Sequence, residues 1–144
     1  MLDVLGVPVP QGSIQAIPRK DGNGVATKYP PRVWRWRYQV QQAVAALNEK
    51  PFDDAVELTL VFDLPRPITH MGTGRNADRV KPSSPEYPIV APDLDKLVRC
   101  VNDAITDAGL WHDDSQVVVI RTTKRYVTAQ PGVHIVISDL APIT

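Results

Sequence analysis

The chain has 144 residues, a length that fits one domain able to bury roughly 68–70% of its unfolded surface. Sixteen Lys/Arg balance sixteen Asp/Glu, and a net charge of zero argues against a purely electrostatic grip on nucleic acid. The lone Cys100 excludes a disulfide framework and a thiolate metal cage. The start MLDVLGVPVPQ lacks the marks of a signal peptide, and no stretch approaches the ~20 apolar residues of a membrane span, so a soluble, cytoplasmic protein without membrane partners is expected.

Leu2 to Val9 reads as a short first strand at or next to a sheet edge, stopped by Pro8 and Pro10. Between Gln11 and Pro31 the turn signal DGNG at 21–24 separates two weak extended segments, Ser13 to Arg19 and Val25 to Tyr29, which predicts a hairpin or an ordered loop. Pro31 suits a helix N-terminus, and Val33, Trp36, Val40, Ala43, Val44 and Leu47 recur at helical spacing, so a helix is expected to run to about Asn48. Ala55 to Leu64 alternates and is rich in branched residues, the pattern of a strand. The next 28 residues, 65–92, hold six prolines and two glycines without periodicity, which predicts a long functional or disordered connection.

Asp93 then stands at the N-cap position of a second helix. Its apolar stripe is Leu94, Leu97, Val98, Val101, Ala104, Ile105 and Ala108, and Gly109 is its stop. Its other face carries Asp95, Arg99, Asp103 and Asp107 at spacings of four, so Arg99 can pair with a carboxylate on either side, and Asp103 and Asp107 read as a solvated face. Gln116 to Val127 and Gly132 to Leu140 follow as two strands joined by a turn. The order predicts an α+β fold: a mixed sheet, two main helices packed on one face, and a C-terminal antiparallel hairpin.

Charge is distributed unevenly. Residues 1–50 carry seven Lys/Arg against three Asp/Glu, whereas 51–64 carry four acids and no base. A neutral protein can still grip phosphates and hold a metal if its acids and bases segregate. PPRVWRWRYQ interleaves Arg32, Arg35 and Arg37 with Trp34, a mixture suited to phosphates and unstacked bases, while Trp36 belongs to the core. The competing reading pairs these arginines with Asp53 and Asp54. Arg75, Arg79 and Lys81 on the long loop, with Lys124 and Arg125 on the later strand, extend the candidate DNA footprint.

The densest chemistry lies in PDLDKLVRCVNDAITDAGLWHDDSQV. Asp93 and Asp95 share the first turn of a helix, where free N–H groups favour negative charge, and Asp113 and Asp114 follow its end. Two carboxylates ~5 Å apart repel by ~3 kcal/mol at an effective dielectric of 20, so a fold that gathers several needs an offsetting cation, proton or arginine. Neither an EF-hand nor a phosphate-binding loop fits: Val98 stands where the EF-hand needs glycine, and no Gly-Lys-Ser/Thr follows MGTGRN.

This stretch resembles the RusA family of Holliday-junction resolvases, in its D-L-D-K-L opening, its aspartate-bearing helix ending in A-G, and its D-D-x-Q-V entry to a strand. The likeness is close over residues 92–140 and looser through VPVPQGS and the helix after Pro31. It implies one RusA-like endonuclease domain over 1–144, of a type common in bacterial prophages, acting as a homodimer on branched DNA. The implied activity is paired nicking of four-way junctions with Mg²⁺, or Mn²⁺ in its place, to leave 5′-phosphate and 3′-hydroxyl ends. Carried over by position, the metal ligands are Asp93, Asp95 and Asp114, with Arg99 where the family usually has lysine. Arginine keeps its proton, so Arg99 can stabilise phosphate charge or orient a carboxylate but cannot act as a general base. Lys96 is an alternative cation, and Asp113 is either a supporting acid or a turn residue. The helix is ~24 Å long, so Asp114 joins the first pair only by folding back along it or by arriving from the other protomer. Within and outside this class stand a broader nuclease for branched DNA or RNA, and a non-catalytic DNA-binding module.

Overall fold

The alternation in Ala55 to Leu64 becomes the centre of the molecule. In the computed structural model, which describes residues 1–12 and 15–143, Val56, Leu58, Leu60, Phe62 and Leu64 project from strand β4 (Val56–Pro65) into the core. Strand β1 (Leu2–Leu5), hairpin strands β2 (Gln15–Pro18) and β3 (Val25–Lys28), and helix α1 (Pro31–Ala45) precede β4; helix α2 (Leu94–Ala108) and strands β5 (Val117–Val127) and β6 (Gly132–Asp139) follow it. Ser13, which opens the first expected extended segment, lies outside the described residues.

The main sheet has the order β1-β6-β4-β5, with β5 parallel to β4 and the other pairs antiparallel. This mixed sheet with two main helices is the α+β arrangement expected. The two C-terminal strands do run in opposite directions, but they are not neighbours: β4 lies between them, with Leu60 paired to Thr122 on one side and to Ile135 on the other. Leu60 and Ile135 are both buried, so the most apolar strand takes the central place that a simple hairpin would have left to its partners. The 132–140 segment is accordingly an interior strand.

Both helices cover one face of the sheet. α1 buries Val33, Trp36, Val40 and Val44; α2 buries Leu97, Cys100, Val101, Ala104 and Ile105. α1 stops at Ala45, three residues short of the expected Asn48, and Leu47 stays 40% exposed because Asn48 turns the chain with φ 51°. α2 ends as read, with Gly109 left-handed at φ 76°. The expected hairpin at 15–28 forms, closed by Arg19 N–H to the Gly24 carbonyl.

The long connection is ordered rather than structureless. Two 3-10 turns, Ile68–His70 and Gly74–Asn76, are tied by a Met71–Val80 bridge, and Arg66 stacks on Tyr126 while donating to the Pro85 and Glu86 carbonyls. On the helix-free face one polar row crosses all four strands. His134 contacts Asp3 and Asp63 at 2.6 Å each, and Arg125 Nε donates to Asp63 at 2.6 Å. The hydrogen bonds to Asp3 and Asp63 raise the His134 pKa. Burial would raise that of Asp63, but the hydrogen bonds from Arg125 and His134 outweigh it and hold the carboxyl below its usual range. Among the described residues no helix is long and apolar enough to cross a membrane.

Candidate metal and nucleic-acid site

α2 runs antiparallel to β4, so its first turn lies where β4 and β5 end. Lys124, near the end of β5, donates from Nζ to the Val90 carbonyl at 2.8 Å and the Pro92 carbonyl at 2.9 Å, fixing the chain immediately before Asp93. The N-terminal segment is pinned to the same turn by Gln11 N–H to the Lys96 carbonyl, 3.0 Å. Asp93 takes the N-cap position without capping: its side chain accepts no backbone hydrogen bond and meets Lys96 Nζ at 3.0 Å instead. Asp95 and Arg99 are exposed and have no ion-pair partner among the described residues. Beside them lies a hollow of about 350 Å³ formed by Val7 to Pro10, Arg32, Ala91 and Pro92.

The two helices run in the same direction. Arg32 lines that hollow with Pro92, Arg37 reaches Asp103 and Asp107, and Gln41 reaches the Asp107 carbonyl. Their N-termini thus share one end of the molecule, where the exposed Arg32 lies beside Pro92; Arg35 is exposed on the same helix. Arg37 is different from its neighbours. Its Nε donates to Asp107 at 2.7 Å, its Nη1 lies 3.6 Å from Asp103, and its guanidinium stacks on Trp34 at 5.0 Å. Burial would lower the Arg37 pKa, but the bond to Asp107 together with the negative charges of Asp107 and Asp103 outweighs it and raises the pKa. Arg37 is therefore an internal tie, and Asp103 and Asp107 are not the solvated face read from their spacing: Asp103 also accepts from the buried Gln11 at 2.5 Å. Trp34 keeps 47% exposure and packs edge-on to Tyr29.

Other candidate DNA contacts divide in the same way. Arg75 and Arg79 are exposed on the ordered loop, whereas Lys81 Nζ donates to the Thr69 carbonyl, Lys124 holds the loop, and Arg125 is held by Asp63. Asp53 pairs with His112 at 2.9 Å, so the expected alternative of arginines on Asp53 does not form.

Asp114 stands at the opposite end. Asp113 caps the short turn Asp114–Gln116 in a capping box, accepting from Ser115 N–H at 2.8 Å. Of its two proposed roles, Asp113 plays the turn residue. Gln116 is used completely: Oε1 accepts from His112 N–H at 2.7 Å and from Asp113 N–H at 3.1 Å, while Nε2 donates to the Phe52 and Asp54 carbonyls at 3.0 Å. Trp111, 1% exposed, anchors the segment through Nε1 to Thr106 Oγ1 at 2.7 Å. Asp113 shares a hydrogen bond with Asp114 and, with burial and the nearby Asp103, raises the Asp114 pKa; the Ser115 N–H lowers that of Asp113.

Asp114 precedes Val117, which pairs with Val56, while Lys124, which meets Pro92, pairs with Phe62. Seven extended residues separate these levels, about 23 Å along β5. Asp93 and Asp95 are thus brought together and Asp114 is not. Among the described residues no three His, Cys, Asp or Glu side chains gather closely enough in one protomer to hold a metal ion. Gln11 and Gln116 were not singled out from sequence; the D-D-x-Q spacing is the signal that marks Gln116, since a glutamine at the third turn position completes a capping box.

Over a 48-residue stretch the chain is 42% identical to the crossover junction endodeoxyribonuclease RusA of Escherichia coli strain K12 and equally to that of Shigella sonnei strain Ss046. The stretch covers 33% of this chain and 40% of each relative, so the match spans less than half of the relatives' length. The profile described as Endodeoxyribonuclease RusA matches residues 6–138. The chain belongs to the RusA family.

Proposed function

We propose that the protein is a metal-dependent, structure-selective endodeoxyribonuclease that resolves four-way DNA junctions by paired nicking, leaving 5′-phosphate and 3′-hydroxyl ends. The observation that carries this reading is the first turn of α2: two neighbouring carboxylates, one without an ion-pair partner among the described residues, with the exposed Arg99 on the same helix and Arg32 beside Pro92, within the family match. An all-oxygen donor set fits a hard cation such as Mg²⁺, with Mn²⁺ as a substitute. When bound, such an ion supplies charge neutralisation at the scissile phosphate and a more acidic water.

Asp93 and Asp95 hold the ion, and Lys96 keeps Asp93 aligned for it. Arg99 stands one turn on and, always protonated, neutralises phosphate charge. Arg32, Arg35, Trp34, Arg75 and Arg79 grip the arms of the junction, so binding weakens steeply with salt. The separation of Asp114 along β5 supports its action from a partner protomer. A two-fold homodimer also answers the need for two symmetric cuts.

The test compares an immobile four-way junction with linear duplex. The junction alone is nicked in Mg²⁺, and Asp95→Asn binds it without cutting. An active Asp95→Asn protein overturns the assignment, equal cutting of linear duplex replaces it with a broader nuclease, and absence of any Mg²⁺-dependent cutting leaves a DNA-binding module.

A further inference from the structure

Residues 85–92 lead from the long connection into α2, and a half-buried cation ties them down at each end. Arg66 donates to the Pro85 carbonyl at 2.7 Å and the Glu86 carbonyl at 3.3 Å while it stacks on Tyr126, and Lys124 Nζ holds the Val90 and Pro92 carbonyls at 2.8 and 2.9 Å. Between these ties Pro88 is buried, and Ile89 N–H closes a tight turn on the Tyr87 carbonyl at 3.0 Å. Yet the pinned turn keeps its large apolar side chains in solvent: Tyr87 is 62% exposed, Ile89 83% and Val90 61%. Single exposed apolar residues are ordinary, but three within four consecutive positions on an anchored backbone mark a surface for a partner.

We propose that Tyr87, Ile89 and Val90 form a wedge that enters the branch point of four-way DNA and unstacks the bases beside the strand to be cut. The choice of DNA as occupant rests on the branched-DNA reading given above.

Position favours this occupant. Val90 and Ile89 stand three and four residues before Asp93, so they lie at most about 11 and 14 Å from it along the chain. A DNA strand advances about 3.4 Å per nucleotide, which places the wedge within roughly three or four nucleotides of a phosphate held at Asp93 and Asp95. Charge is complementary as well. The exposed Arg32 lines a hollow with Ala91 and Pro92, and the exposed Arg99 follows one turn beyond Asp95, so cations for the phosphates lie next to an apolar turn for the bases. Glu86 is the only charged residue of 85–92 and precedes the turn, so the tip enters a base stack without desolvating an ion. Apolar side chains inserted between base steps are a general means of opening them, and the Arg66 and Lys124 ties supply the backing such a wedge needs. Tyr87 adds a ring on which a released base can stack. Opening costs least where stacking and pairing are already interrupted, so the wedge couples cutting to the branch point rather than to linear duplex.

The test uses the full chain and a four-way junction carrying 2-aminopurine at its branch point. The label should brighten when the parent binds in the absence of metal, and the same label placed within an arm should not. The double variant Ile89→Ser with Val90→Ser is expected to bind the junction, to leave the label dark, and to nick an intact junction on the order of 10–100-fold more slowly, the rate equivalent of unstacking one base step. A junction whose branch point is built from mismatched bases needs no opening, and on it the double variant should cut at the parental rate. Ile89→Leu with Val90→Ile keeps the apolar tip and should behave as the parent on both substrates. A label that stays dark with the parent, a double variant that cuts the intact junction at the parental rate, or one that is equally slow on both junctions overturns the wedge and leaves the nuclease reading standing. A double variant that is monomeric in light scattering where the parent is dimeric also overturns it and gives the turn to a second copy. Opening of the branch point without Mg²⁺-dependent nicking does the reverse, removing the nuclease reading and leaving the wedge.

Discussion

The two ends of α2 carry the same kind of sequence, a short run of aspartates, and use it in opposite ways. At the first turn, Asp95 is exposed with no ion-pair partner among the described residues, and Asp93 meets only a half-exposed Lys96. Beyond the last turn, Asp113 caps, Gln116 makes four contacts and Trp111 is sealed in the core. Acids left without partners mark a site for something the chain itself does not supply. Acids and amides that satisfy one another mark architecture. The same signature therefore contains one half that is left free for the proposed metal site and one half that is structural, and Asp114 stands on the boundary, hydrogen-bonded with Asp113.

Substitutions at the two ends should separate accordingly. The largest effect belongs to Asp95→Asn, for which junction nicking in Mg²⁺ is expected to fall by on the order of 10³-fold, since a metal ligand commands several kcal/mol of the barrier. Its melting temperature should barely move, because the side chain packs against nothing; a large drop in stability would erase the contrast. Trp111→Ala should do the converse, costing about 3–5 kcal/mol in a urea melt through lost volume in the core. Gln116→Ala comes next, at about 1–2 kcal/mol, because it removes the hydrogen bonds to the half-buried Phe52 carbonyl, the exposed Asp54 carbonyl and the His112 and Asp113 amides. If Gln116→Ala abolished nicking at unchanged stability, the structural half would have to be reassigned to the site.

The smallest effect tests the helix-free face. The His134 pKa is raised in the folded protein, so its contribution is fully present below the ordinary value of 6.5 and is lost as pH rises through the raised one. Asp63 is lowered, so its contribution is present above 3.8 and is lost as pH falls through the lower value. Thermal melts should show a modest decline in the parent above neutral pH that is absent from His134→Gln.

Local pattern carried much of the fold. The strand at β4, the apolar stripe of α2 and its Gly109 stop follow from periodicity and left-handed backbone preference, which neighbouring residues settle among themselves. The Asp93–Asp95 pair was equally visible, because its meaning lies in spacing within one turn. Not visible were the insertion of β4 between β5 and β6, the order within the long proline-rich loop, and the capture of Arg37 by Asp103 and Asp107. Arg37 stands in the same basic stretch as Arg32 and Arg35, and only the parallel packing of α1 on α2 turns it inward.

The amino-acid order alone decided which segments are helix or strand and where neighbouring carboxylates sit, because those depend on side chains a few residues apart. Strand order, the burial of one arginine among three, and the separation of about 23 Å along β5 between the level of Val117, just after Asp114, and that of Lys124, which meets Pro92, were decided by packing. These join residues tens of positions apart, and the free energy that selects them comes from burying β4 on both sides rather than from any preference the segments express singly.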